Sequence, residues 1–285
     1  MPQKKITIKL GIPNKIQNTY SGPKLRGPRW NSNSCGYDTL LTVLFNSWLE
    51  NPAVVTNFFN QTNQDLLTPI ITTYNQVQQA PDYFEQICNI WRNLLIENYS
   101  HYFQMGQFIE ISRLMTVLFG HQEVYVTEKI CPNGNHESDT IFSTQNNCLM
   151  IESHANGSTI QEYIDLNMMA EFGHLCQECR TKLQSKQYFQ MAPDFLIFET
   201  QKFLTPKLNI TIKLHDNLVQ YSLKGIIYHG NAHFTSHFIS QNRNVWYHDA
   251  GPNCVLETIN LPEHHSFNFS HAAWRISSMI VYVKL

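Results

Sequence analysis

The chain has little charge and no long apolar run. Only 15% of its residues are Asp, Glu, Lys or Arg, and they nearly cancel, to a net charge of −2. That balance sets up no broad field for a polyanion, so neither nucleic acid nor an anionic membrane is an expected partner. No stretch approaches the roughly 18 consecutive apolar residues of a membrane-spanning helix. The segment from Met1 to Lys15 lacks an apolar core followed by small residues, so it does not read as a secretory signal. The expected compartment is intracellular, cytoplasmic or nuclear, and reducing. There the seven cysteines serve as thiols, metal ligands or a nucleophile in preference to disulfides. No internal repeat and no long low-complexity tract appears.

What is present suffices for a sizeable core. The 285 residues are 42% hydrophobic, which fits one large domain or two fused subdomains. Residues 1–29 carry Lys4, Lys5, Lys9, Lys15, Lys24, Arg26 and Arg29 among prolines and glycines. Dispersed charge of this kind marks an extended basic lead-in or linker. Residues 30–285 form the expected folded unit.

Helical patterning runs to about residue 120. Tyr37, Leu40, Leu41, Leu44 and Trp48 recur at three- and four-residue steps, one buried helix face. Pro81 and Asp82 are expected to open a second helix with Tyr83, Ile87, Ile90, Trp91 and Leu94 as its apolar stripe. Residues 107–119 read as a third. From residue 124 the pattern turns to short β-like runs at 123–130, 147–152, 195–200 and 208–214. One helix interrupts them, announced by the capping box of Thr159 and Glu162. The last ninety residues read as strands at 221–228, 233–240, 244–248 and 277–284. A helical front and a β-rich back predict an α+β architecture.

Cys35 follows a polar, turn-forming segment and precedes the first apolar helix. A helix start offers unpaired N–H groups and the positive end of the dipole, both favourable to an anion. A thiolate is such an anion and is the attacking form of cysteine. The same N–H groups suit a developing oxyanion, and Asn31 or Asn33 would add a side-chain donor. Taken alone, a cysteine here also reads as a buried structural residue. Far downstream, a histidine on one predicted strand and Asp249 on the next would become cross-strand neighbours, and the acid would fix the histidine's tautomer. His229, His233, His237 and His248 all lie in this region. The order Cys, His, Asp is the papain-type one. Cys35 and His233 are 198 positions apart, against roughly 130 to 150 in papain-like enzymes, so an insertion is expected between them.

That insertion, about 123–190, holds Cys131 and His136 in a C-x4-H spacing and Cys176 and Cys179 in a C-x-x-C spacing. Together they supply the four N/S ligands of a closed tetrahedral zinc site, with His174 competing with His136 for the fourth place. A structural zinc would brace a β-rich segment with little core of its own. No thioredoxin-like βαβ pattern surrounds the C-x-x-C, which argues against a redox role. Cys88, Cys148 and Cys254 read as small hydrophobes.

Taken together, residues 28–285 resemble the ubiquitin-specific proteases, papain-like deubiquitinating enzymes. The cysteine box is Asn31-Ser-Asn33-Ser-Cys35-Gly-Tyr-Asp-Thr-Leu-Leu, and the histidine box is Tyr221-Ser-Leu223-Lys-Gly-Ile-Ile-Tyr-His229-Gly230, then Ala232-His233-Phe234, then Trp246-Tyr247-His-Asp249. Pro193 with the apolar run to Phe203 and the final strand from Met279 match further segments of the family. The resemblance selects His233 over its rivals as the base and supports Asp249 as its orienting acid. It implies a helical thumb (about 35–120), a β-rich palm (about 190–285) and a small zinc-ribbon-like finger between them. It also implies ubiquitin or a ubiquitin-like modifier as partner, cleavage through a thioester, and no catalytic cofactor. The chain departs from the family pattern in several places. Trp30 stands where the oxyanion Asn usually does, Asp38 replaces a frequent Asn, Ala232-His233-Phe234 replaces Gly-His-Tyr, and the first metal pair is C-x4-H. Two other readings remain open, an inactive ubiquitin-binding module of the same fold and a different Cys-His-Asp acyl-transfer enzyme of the transglutaminase-like kind.

Overall fold

The computed structural model describes residues 33–79, 84–120, 123–133, 141–145, 148–151, 157–166, 168, 170–200, 204–249, 255–260 and 269–285. The basic lead-in of residues 1–29, together with Asn31, His136 and Cys254, lies outside them.

Five helices come first: α1 (Cys35–Glu50), α2 (Pro52–Thr62), α3 (Gln64–Gln79), α4 (Phe84–Asn98) and α5 (Ile111–Phe119). Helix α1 is buried from Cys35 to Trp48, polar residues included. The Thr39, Thr42, Asn46 and Ser47 side chains each donate to the carbonyl one turn earlier, at 2.5 to 2.8 Å, which satisfies their donors within the helix, while the Tyr37 hydroxyl and Asn46 Oδ1 are buried without a hydrogen-bond partner. Asn51 ends α1 and caps α2, its side chain accepting from Val54 N, and Pro52 fills the first helical position, where a missing N–H does no harm. Helix α4 begins at Phe84. The expected start at Pro81 and Asp82 falls outside the described residues.

The strands follow: β1 (Glu123–Ile130), β2 (Ile141–Gln145), β3 (Cys148–Ile151), then helix α6 (Ile160–Asp165), β4 (Ala170–Leu175), β5 (Lys182–Phe189), β6 (Phe195–Thr200), β7 (Asn209–Leu214), β8 (Asn217–Gly230), β9 (His233–Ile239), β10 (Asn244–Asp249), β11 (Val255–Asn260), β12 (His271–Ala272) and β13 (Arg275–Lys284). The capping box before α6 forms with one shift. Thr159 Oγ1 accepts from Glu162 N, and the Glu162 carboxylate reaches back chiefly to Ser158, with a lesser interaction at the Thr159 backbone.

Two sheets result. A four-stranded sheet runs β2-β1-β5-β4, and a nine-stranded sheet runs β11-β10-β9-β8-β13-β6-β3, with β12 on β13 and β7 on β8. Strand β3 lies within the expected insertion yet joins the large sheet, parallel to β6. One apolar core fills the space between the first five helices and one face of the large sheet. A second covers the other face with α6, β7 and the start of β1. Among the described residues no helix is long and apolar enough to cross a membrane.

Helix α1 meets the sheet at closest approach over Gly225. A β-carbon there would lie 2.3 Å from Val43 Cγ1. At its far end Glu50 takes the Lys224 ammonium on one oxygen and the backbone N–H of Gln241 on the other, at 2.5 and 2.6 Å. Gly225→Ala should therefore overpack the helix–sheet contact and destabilise the fold by about 2–3 kcal/mol. Urea denaturation measures this, and Val43→Ala in the double mutant should return part of the loss. A cost no greater than that of an exposed substitution would disprove so tight a contact.

Candidate active site

Cys35 is the first residue of α1 and is 1% exposed. Gly36 follows it for a steric reason, since a β-carbon there would press on Ile109 Cγ1 at 2.9 Å. The loop leading to Ile109 thus closes over the helix start. Asn33 adopts a left-handed backbone (φ 62°), and its Nδ2 donates to the Gly106 carbonyl at 2.7 Å, which ties that loop beside Cys35. This commits one of the two Asn33 amide hydrogens. The other sequence-derived donor, Asn31, lies outside the described residues.

His233 opens β9 immediately after a two-residue hairpin turn. Gly230 pairs with His233, and Asn231 and Ala232 between them both have positive φ, 54° and 56°. That is the geometry of a type I′ turn, whose twist matches a β-hairpin. Asn tolerates it, whereas Ala there carries strain of about 1–2 kcal/mol. A glycine at this position would sit without it. Strand β10 pairs with β9 so that His248 faces Ser236. One step further along, Asp249 comes opposite Thr235, on the same face as His233. The expected cross-strand neighbours meet: His233 Nε2 and Asp249 Oδ1 are 2.7 Å apart.

The hydrogen bond to Asp249, then the one to Cys35, push the His233 pKa up to about 9 against the opposing effect of burial. With Nε2 engaged by Asp249, Nδ1 is the nitrogen left to face the thiol. The three predicted triad residues therefore lie together. Their histidine rivals are occupied elsewhere. His237 Nδ1 is 2.8 Å from the Tyr228 hydroxyl in the second core, with its pKa driven down to about 3 by burial. His248 Nδ1 lies 3.3 Å from Thr42 Oγ1 of α1, and His229 stacks on Phe234 with ring centroids 4.3 Å apart.

Two further residues sit close to this centre without having been assigned a role from the sequence. Arg275 lies against Gly230, where a β-carbon would meet its Cγ at 3.2 Å. The glycine lets the arginine side chain cross β8 and bring Nη1 to 4.0 Å from Asp249 Oδ2, the oxygen not bonded to His233. A lone Arg in a Trp-Arg-Ile run gives no hint of this. The second is Asp38, whose fully buried carboxyl accepts from Ser34 Oγ at 2.5 Å and from Cys88 Sγ at 3.4 Å. Burial pushes it up to about 7 despite the Ser34 and Cys88 hydrogen bonds and the Arg92 charge, all of which lower it.

Apart from this centre, the sulfurs of Cys131, Cys176 and Cys179 lie within 4.8 Å of one another, Cys131 and Cys179 at 3.4 Å. Cys131 follows β1, and the C-x-x-C turn joins β4 to β5. Sulfurs on one tetrahedral zinc lie about 3.8 Å apart, so the donor set fits a metal ion. The Cys179 thiol is lowered to about 6, chiefly by the Thr181 hydroxyl, while burial raises the neighbouring Cys131 thiol to about 11. His136 and the His174 side chain lie outside what is described, so the fourth ligand is an expectation. Cys148 is a core residue, as expected.

No protein-family model matches the chain, and no curated protein matches it. Solved structures do. A chain of the SAGA DUB module of Ubp8, Sgf11, Sus1 and Sgf73 bound to monoubiquitin aligns with a TM-score of 0.52 at 11% identity, over 92% of this chain and 69% of that one. The same module bound to ubiquitin aldehyde gives 0.52 at 12%, over 92% and 70%. At such identity the likeness is one of fold: this mixed helix-and-sheet chain shares the fold of a deubiquitinating module.

Because the folded His233 value lies above the ordinary 6.5, the protonated ring stabilises the fold fully below about pH 6.5, and this contribution is lost as pH rises through about 9. The urea midpoint should fall across that window in the wild type and fall less in Asp249→Asn. An equal fall in both would show that the His233–Asp249 bond has no part in it.

Proposed function

We propose that this protein is a cysteine isopeptidase that removes ubiquitin or a ubiquitin-like modifier from conjugated proteins. The observation that carries the reading is the convergence of Cys35, His233 and Asp249 from α1, β9 and β10, on a fold shared with a module solved in complex with ubiquitin. In this reading the helices form the thumb, the large sheet the palm and the four-stranded sheet the finger. The modifier's extended C-terminal tail would lie between thumb and palm and reach Cys35.

His233 takes the thiol proton, and the Cys35 thiolate attacks the carbonyl of the C-terminal Gly–Lys isopeptide bond. The first-turn N–H groups of α1, with Asn31 or Asn33, hold the oxyanion. His233 then protonates the departing lysine amine. Water attacks the thioester, with His233 as base, and frees the modifier's carboxylate and the Cys35 thiol. Asp249 keeps the ring oriented throughout. We further propose that Cys131, Cys176 and Cys179 hold a structural zinc with His136 or His174 as the fourth ligand. Such an ion would brace the four-stranded sheet and touch no reacting atom.

Ubiquitin and ubiquitin-like proteins carrying a C-terminal electrophile should form a covalent adduct with the wild type and none with Cys35→Ala. Absence of an adduct from a folded, zinc-loaded sample would turn the reading to an inactive binding module or another acyl-transfer enzyme. Metal analysis should find one zinc per chain. Cys176→Ser should lower both zinc content and melting temperature, and full retention of zinc by that variant would move the site elsewhere.

A further inference from the structure

Helix α1 starts without a side-chain cap. Ser34 occupies the N-cap position, where a serine oxygen ordinarily accepts from an N–H two or three residues on. Here the Ser34 backbone is itself helical (φ −78°, ψ −6°), no such bond forms, and the hydroxyl donates instead to Asp38 Oδ2. The first intrahelical bond runs from Asp38 N to the Ser34 carbonyl. The N–H groups of Cys35, Gly36 and Tyr37 therefore have no acceptor within the helix, and Ser34 leaves them uncovered.

Asp38 is held from behind for this task. Cys88 of α4 donates to its other oxygen at 3.4 Å. The charge of Arg92, also on α4 and buried, favours the ionised carboxyl, while that of Glu85 on the same helix opposes it. A simple tie between α1 and α4 would need only the Cys88 contact. The engagement of Ser34, the residue just before Cys35, is what such a tie leaves unexplained.

We propose that Asp38 is a positioning residue: by fixing the Ser34 hydroxyl as a donor, it keeps the first-turn N–H groups of α1 open for the anion at Cys35. That anion is first the thiolate and then the oxyanion of the acyl intermediate. The inference rests on the reading of Cys35 as nucleophile. Through its own charge, Asp38 would act in the opposite direction, because a carboxylate one turn below a thiolate disfavours it. The two effects thus have opposite signs and can be separated.

The test uses the full chain and two readouts. One is the rate at which iodoacetamide alkylates Cys35 at pH 7, followed by mass spectrometry of the Cys35 peptide. The other is kcat for a fluorogenic amide at the ubiquitin C-terminus. Asp38→Ala should slow alkylation about tenfold and lower kcat about 100-fold, the scale of one lost oxyanion donor, with KM nearly constant. Adding Ser34→Ala should recover most of both losses, because no hydroxyl then competes for the N–H groups. Asp38→Asn, which keeps an acceptor for Ser34, should stay within about threefold of the wild type. Ser34→Asn places a strong cap on the helix, so it should fold well and show the same slow alkylation, which keeps the test valid if Asp38→Ala does not fold. Failure of Ser34→Ala to rescue, or alkylation of Asp38→Ala as fast as wild type, overturns the proposal. A wild type alkylated at Cys35 but inert toward the ubiquitin amide overturns the isopeptidase reading instead, and the alkylation arms still decide the role of Asp38.

Discussion

The burial of α1 is the constraint on which the other features depend. A helix with water on one side can roll or slide at small cost, but one enclosed on all sides cannot. Several polar side chains along it bond to the carbonyl one turn earlier, so its rotation is fixed by hydrogen bonds as well as by shape. Val43 over Gly225 sets its height above the sheet, and Glu50 pins its end to Lys224 and the β9–β10 turn. A partly buried ion pair of this kind adds little net stability but penalises misplacement strongly. The result is that Cys35, at the opposite end, has one position relative to His233.

That arrangement explains which parts of the molecule were legible in the sequence. The face of α1 and the strands at 123–130 and 195–200 follow from periodicity, because burial on one side selects for it. Long-range meetings leave no such trace. The histidine box by itself offered four histidines, and only the resemblance singled out His233. In the fold, β9 and β10 pair so that His237 and His248 turn toward separate neighbours, whereas His233 reaches Asp249. Arg275 was invisible because its partner depends on a glycine missing a side chain on the strand between them. Asp38 was visible only as a departure from the family pattern, and its meaning came from the direction of one serine hydroxyl.

The cysteine-rich region makes the converse point. Spacing marked Cys131, Cys176 and Cys179, and their sulfurs do converge. Spacing could not show that β3, flanked by β2 and β4 of the small sheet, leaves it and lies parallel to β6 in the large one. Strand pairing across such sequence distances is decided by the whole fold and not by any local run of residues.

The position of β13 carries a consequence for how the protein is made. It follows every other described element in the chain, yet it lies between β8 and β6 in the interior of the large sheet. During synthesis, at roughly 5–20 residues per second, Cys35 is made well before β13, the strand that joins the two halves of the sheet. Until then β8 and β6 have no neighbour between them, and Asp249 lacks its arginine. A growing chain therefore carries α1 and Cys35 well before the large sheet behind them can close, and that sheet becomes continuous only as β13 inserts.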